Sequence, residues 1–212
     1  MVYSDQDELE KLKQWWKNYG GALLLGVLLG LALLFGNKYW QEYREKQRLE
    51  ASELYAQMLD QVQGGRHDAA RTSGNRLVEE YARTPYAGMA ALLLARLAVE
   101  ANDSAAAREH LEWAIANADD PAVVHTARLR LGQLHVASGE YEAALALAEG
   151  VKKAPGFEAD YLELKGDAYA GMQRIAEARA AYREALQKLA PESAGRQLIE
   201  MKLDDLGGAE AG

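Results

Sequence analysis

Four prolines occur in 212 residues, at Pro85, Pro121, Pro155 and Pro191, and the intervals between them are 36, 34 and 36 positions. A beat this regular in so rare a residue signals an array of repeats. Proline lacks the amide proton that a helix interior needs. Each one therefore closes a helix or opens the next, and the period marks where one two-helix unit hands over to its successor. Function in such a chain is recognition by stacked helices.

A second feature governs where the array is held. Gly20 to Gly36 (GGALLLGVLLGLALLFG) is a run of 17 residues with no charged or strongly polar side chain. Trp15, Trp16 and Tyr19 precede it, and Tyr39, Trp40 and Tyr43 follow it. A helix from Tyr19 to Tyr39 is about 31 Å long, close to the hydrocarbon thickness of a bilayer. The paired aromatics match the belts that interface-seeking rings form at both membrane surfaces. One membrane span at 19–39 is the expectation, and a buried core helix is the alternative. The leader mixes Asp5, Asp7, Glu8 and Glu10 with Lys11, Lys13 and Lys17, and no small-residue cleavage site follows the run. The segment therefore reads as a retained anchor and not as a signal peptide.

Charge does not orient this span. Three lysines lie in the leader, against Lys38, Arg44, Lys46 and Arg48 beyond the run, and a long following domain crosses largely regardless of its own charge. The chain has no cysteine, which excludes a lipoprotein anchor, disulfides, thiolate metal sites and thiol catalysis, and is compatible with either redox compartment.

The net charge of −8 divides into −1 for 1–18, +2 for 38–48 and −9 for 49–212. An acidic domain without a basic stripe repels nucleic acid. Alanine, leucine, glutamate and arginine dominate it, and nothing shows the period-two alternation of a strand. The fold class is therefore all-α. Five segments are expected: a leader (1–18), the span (19–39), a helical connector (40–63), a helical domain (64–206) and a tail (207–212). Turn signals place domain helices near 67–83, 86–102, 104–118, 121–138, 141–153, 157–172, 175–189 and 193–206.

Single positions support a tetratricopeptide register, in which small and aromatic residues recur where the helices of a hairpin pack closely. Gly132 and Gly166 are 34 residues apart, and Ala144 and Ala178 each follow twelve positions later. Gly166, Tyr169, Ala178, Tyr182 and Ala185 form the clearest unit. Leu94, Ala95, Ala107, Leu111 and Ala114 form an earlier copy, and 51–81 matches weakly. His135 and Ala148 stand where aromatics are expected.

Across nearly its whole length the chain resembles the YfgM family of bacterial inner-membrane proteins. The resemblance rests on the acidic leader followed by Lys-Gln-Trp-Trp-Lys-Asn-Tyr-Gly, the Gly-rich run LLLGVLLGLALLFG, and Lys38-Tyr39-Trp40. It continues in Lys165-Gly166-Asp167-Ala168 and in the closing Met201-Lys202-Leu203-Asp204-Asp205-Leu206. What it implies is an amino terminus in the cytoplasm, a single pass through the inner membrane and a tetratricopeptide-like domain in the periplasm. It also implies association with the SecYEG translocon and with a PpiD-like membrane-anchored chaperone, assisting secretory polypeptides as they emerge.

In the tetratricopeptide register, successive first helices line a groove. Its candidate residues are Met89, Leu92 and Arg96, then Leu129, Gln133 and Val136, then Glu163, Asp167 and Ala170. Taken singly, each also fits an ordinary solvated or core position. Ala22, Gly26 and Gly30 put small residues on one face of the span, where another membrane helix could pack. No catalytic, metal or phosphate-binding signature occurs. His67, His110, His125 and His135 are scattered, and Asp119-Asp120 and Asp204-Asp205 read as turn or terminal residues. No enzyme activity and no cofactor are expected. The functional classes are an anchored, chaperone-like binding module, a structural or regulatory adaptor, or a cytoplasmic membrane-tethered scaffold.

Overall fold

The computed structural model describes the backbone of residues 4–207 and their side chains apart from those at 4–7, 22, 24, 27–29 and 32–34. Among the described residues, regular structure is entirely helical: α1 (Ser4–Gln63), α2 (His67–Glu80), α3 (Pro85–Glu100), α4 (Ser104–Asn117), α5 (Pro121–Ala137), α6 (Tyr141–Glu149), α7 (Glu158–Gly171), α8 (Ile175–Lys188) and α9 (Ala194–Asp205). The chain divides into two units, Met1–Glu50 and Ala51–Gly212.

The described residues of the first unit belong to α1 alone. Large apolar side chains point outward along it, among them Trp15, Trp16, Leu25, Phe35, Tyr39 and Trp40. Among the described residues no helix is long and apolar enough to cross a membrane. The span expected at 19–39 is therefore not a feature of those residues. Many of its apolar side chains, at 22, 24, 27–29 and 32–34, lie outside them.

The second unit is a series of helical hairpins. The end of α1 pairs with α2, and α3 with α4, α5 with α6 and α7 with α8 follow, closed by α9. Successive first helices also touch, α3 with α5 and α5 with α7. The same device turns each hairpin: a residue in the left-handed region stands two positions before the second helix. Gly65 (φ 69°), Asn102 (φ 60°), Gly139 (φ 76°) and Gln173 (φ 62°) occupy it in turn. Left-handed backbone costs little for glycine, and asparagine tolerates it. Gln173 carries the strain of an ordinary side chain there.

The prolines act in two ways. Pro85 and Pro121 are the first residues of α3 and α5, where the missing amide proton costs nothing. Thr84 before the first of them is extended, at φ −105° and ψ 152°, as the ring of the following proline demands. Pro155 and Pro191 instead stand three residues before α7 and α9. Aspartates cap two helices: Asp103 accepts from the Ala106 amide and Asp120 from the Ala122 amide, at 3.0 and 2.9 Å, which satisfies amides that a helix start leaves without partners. The expected helix at 141–153 ends early, at Glu149. Gly150 and the approach to Pro155 release the chain into a loop, because glycine and the residue before proline both disfavour helix.

Four apolar clusters follow one another, each spanning consecutive helices. Ala51, Met58, Ala70, Leu77 and Leu94 join α1, α2 and α3. Ala91, Leu111, Ala114 and Leu131 join α3, α4 and α5. Leu129, Ala144, Ala148 and Leu164 join α5, α6 and α7. Ala178, Tyr182, Ala185 and Ile199 join α8 to α9, with Leu162 and Tyr169 of α7 packed against them. Fully buried alanines recur at every interface, and their small side chains let helix axes approach closely. A Cβ on Gly166 would collide with the Tyr182 ring, whereas one on Gly132 would collide with Leu164. The first glycine therefore admits a contact within a hairpin, and the second admits one between neighbouring repeats.

Candidate interaction surface

On α3, Met89 is 38% exposed. Arg96 is exposed too, and its Nε donates to Glu100 Oε1 at 2.7 Å. Leu92 is half-buried against the α3–α5 cluster. On α5, Gln133 is open to solvent, while Val136 is half-buried against the neighbouring cluster. Leu129, expected to line a groove, is only 8% exposed and belongs to the core shared with α6 and α7. It cannot form a groove wall, because its side chain is consumed in holding the repeats together.

The α7 part of the face is already engaged. Lys202 Nζ, from α9, donates to Glu163 Oε1 at 2.6 Å and to Asp167 Oδ1 and Oδ2 at 2.7 and 2.9 Å. The Tyr182 hydroxyl donates to Asp167 Oδ1 at 2.7 Å. Burial first, then the hydrogen bond to Asp167, pushes the Tyr182 phenol above its ordinary range. Ala170 is half-buried against the α8–α9 cluster. The acidic end read from the sequence is thus the polar joint that fixes α9. The face that remains open is carried by Met89, Arg96 and Gln133, with Leu92 and Val136 partly covered.

Two of the four histidines, His125 and His135, are held in contacts between helices. His135 Nδ1 lies 2.5 Å from Glu140 Oε2, and Arg108 of α4 donates to both Glu140 oxygens at 2.9 and 3.0 Å. Arg108 first, then His135, holds the Glu140 carboxyl down to about 2. His125 Nδ1 lies 2.9 Å from the Tyr161 hydroxyl and its ring meets Phe157, joining α5 to α7. Among the described residues no three metal-ligating groups converge. In the first unit, a Cβ at Gly26 or Gly30 would meet nothing within 4 Å, so both positions are open to a partner. The Ala22 side chain lies outside the described residues.

Reading the sequence in one dimension missed a cleft of about 500 Å³ between the loop after α6, α7 and α8. Tyr161, Leu162 and Pro155 line it together with Lys152, Lys153, Lys165 and Lys188. A signal existed: lysine is absent from 51–151, so these four are conspicuous once counted.

Hairpins stacked in series, each sharing an apolar cluster with the next, define a helical-repeat protein. The family described as a tetratricopeptide repeat-like domain matches residues 13–208. A relative from Neisseria gonorrhoeae is 30% identical over 203 residues, covering 95% of this chain and 97% of its own. Relatives from Haemophilus influenzae and Escherichia coli are 29% and 27% identical, covering 97% and 96% of this chain and 100% and 97% of their own. All three carry the name ancillary SecYEG translocon subunit. The chain belongs to the tetratricopeptide repeat-like family that includes these translocon subunits, in keeping with the YfgM resemblance.

Proposed function

We propose that this chain is a single-pass protein of the bacterial inner membrane, associated with the SecYEG translocon, whose repeat unit in the periplasm binds secreted or membrane proteins as they emerge. It acts as a chaperone-like binding module and not as an enzyme, beside a PpiD-like membrane-anchored chaperone. The observation that carries the reading is the likeness to named translocon subunits across 95–97% of the chain, covering both structural units. The anchor is supported by large apolar side chains exposed along α1, from Trp15 to Trp40. A helix apolar on all sides is at home in lipid, where every backbone group is satisfied internally. Gly26 and Gly30 would then face a second membrane helix.

The open face on α3 and α5 offers Met89, Leu92 and Val136 as apolar contacts and Arg96 and Gln133 as polar ones, which suits short segments of varied sequence. A second reading, an adaptor that holds one folded partner, draws on the closure of the α7 face by Lys202. Purification of the full chain from membranes in mild detergent, followed by mass spectrometry, tests the association. Recovery of translocon subunits is expected, and recovery of unrelated soluble proteins alone would reject it. Suppression of aggregation of an unfolded secretory protein by the purified full chain separates chaperone from adaptor.

A further inference from the structure

The segment 51–212 carries 17 basic and 25 acidic residues, a net charge of −8. Many of its arginines sit beside carboxylates, such as Arg76 with Glu80, Arg96 with Glu100 and Arg174 with Glu177. Its lysines behave differently. There are five, and Lys202 is consumed by Glu163 and Asp167. The other four, Lys152, Lys153, Lys165 and Lys188, all line one cleft, and none of the four makes an ion pair with a described residue. Four unpaired cations gathered at one place in an acidic domain form a local field opposite in sign to their surroundings.

The geometry points to a binding site for an acidic, extended polypeptide segment that carries an apolar residue between its carboxylates. This rests on the reading of the chain as a polypeptide-binding module, though not on its association with the translocon. The cleft, about 500 Å³, falls in the size range that holds small ligands and short peptide stretches. Its floor is apolar and well held: Tyr161 is 5% exposed and its hydroxyl lies 2.9 Å from His125 Nδ1, while Leu162 packs against the α8–α9 cluster. The lysines come from three elements, the loop, α7 and α8, so they meet charges distributed along a chain and not one compact anion. No arginine lines the cleft, so the guanidinium forks that favour phosphate are missing among its walls. Glu158 is turned to its own loop, accepting from the Gly156 amide at 2.9 Å. Glu184 remains as an acceptor for a peptide amide.

The test uses the full chain in micelles of a neutral detergent and a fluorescein-labelled ten-residue peptide in which aspartates and glutamates alternate with leucines. Anisotropy should report saturable binding that weakens as sodium chloride rises from about 50 to about 500 mM, as screening requires. A peptide with asparagine and glutamine at the acidic positions should bind at least about tenfold more weakly, and so should the double variant K165E/K188E toward the acidic peptide. R183E, an equal change of charge per site on α8 outside the cleft, should stay within about twofold. K165M/K188M keeps the apolar stems and guards against misfolding; it too should lose binding while retaining wild-type helicity. Equal binding by the double variants, or by the neutral peptide, overturns the proposal. So does absence of peptide binding together with cleft-dependent capture by vesicles of anionic phosphatidylglycerol, which would assign the lysines to lipid. Retrieval of translocon subunits by K165E/K188E is scored separately, so loss of the peptide site and loss of the association remain distinct results.

Discussion

Gly166→Ala adds one methyl group to α7, and in most helices that exchange stabilises by up to about 1 kcal/mol. Here it should do the reverse. The new Cβ would lie inside contact distance of the Tyr182 ring, and that ring is 3% exposed. Its hydroxyl is also tied to Asp167 at 2.7 Å, so the ring cannot retreat without breaking that bond. Overpacking costs about 1–3 kcal/mol, and a hydrogen bond to a charged group contributes about 1.5–3 kcal/mol. After the gain in helix propensity is subtracted, the net loss should be about 2–4 kcal/mol. Urea unfolding followed by far-UV circular dichroism would show the midpoint falling by about 1–2 M. In a Tyr182→Ala background the obstacle is gone, and Gly166→Ala should stabilise by about 0.5–1 kcal/mol. A stabilising Gly166→Ala in the wild-type chain, or the same sign in both backgrounds, would refute the assigned contact.

Lys202→Met should cost about 1–3 kcal/mol, because Glu163 and Asp167 lose their shared cation at a partly covered joint; urea unfolding checks it, and an unchanged midpoint would remove the joint. Gln173→Gly should stabilise by about 0.5–1 kcal/mol, since the turn holds φ at 62°, and thermal unfolding reads the gain. The Glu140 carboxyl is lowered in the folded chain to about 2, so its contribution is present above its unfolded value of about 4.3 and is lost as pH falls through the folded one. The difference in urea midpoint between wild type and Glu140→Gln should therefore be full near neutral pH and vanish toward pH 2. A pH-independent difference would contradict the Arg108–Glu140 pairing.

The helical hairpins were legible because their punctuation is chemical. Proline, glycine and capping aspartates act within a few residues, so the start of α5 at Pro121 and the turn at Gly139 follow from local rules. The overrun of α6 past Glu149 came from reading Val151 to Lys153 as a continuing helix although Gly150 and Pro155 both work against it. The binding face was less legible. Helical periodicity tells which residues share a side, but not what covers them. Glu163 and Asp167 are claimed by a lysine 39 and 35 positions away, and Leu129 is buried between its own partner helix α6 and α7 of the next hairpin. The lysine cleft was legible only in part: its four lysines stand out after a stretch that has none, but its walls are drawn from a loop and two helices that only packing brings together.

Site-specific photocrosslinking in intact bacterial cells, with the reactive residue placed at Gly26 in α1 and, separately, at Met89 on the open face of α3, would show what the two units of the chain touch. Crosslinks from Gly26 to a translocon subunit, and from Met89 to emerging secretory polypeptides, are the predicted result. Crosslinks from both positions to cytoplasmic proteins alone, with the translocon absent from every product, would rule out a translocon-associated protein with a periplasmic repeat unit.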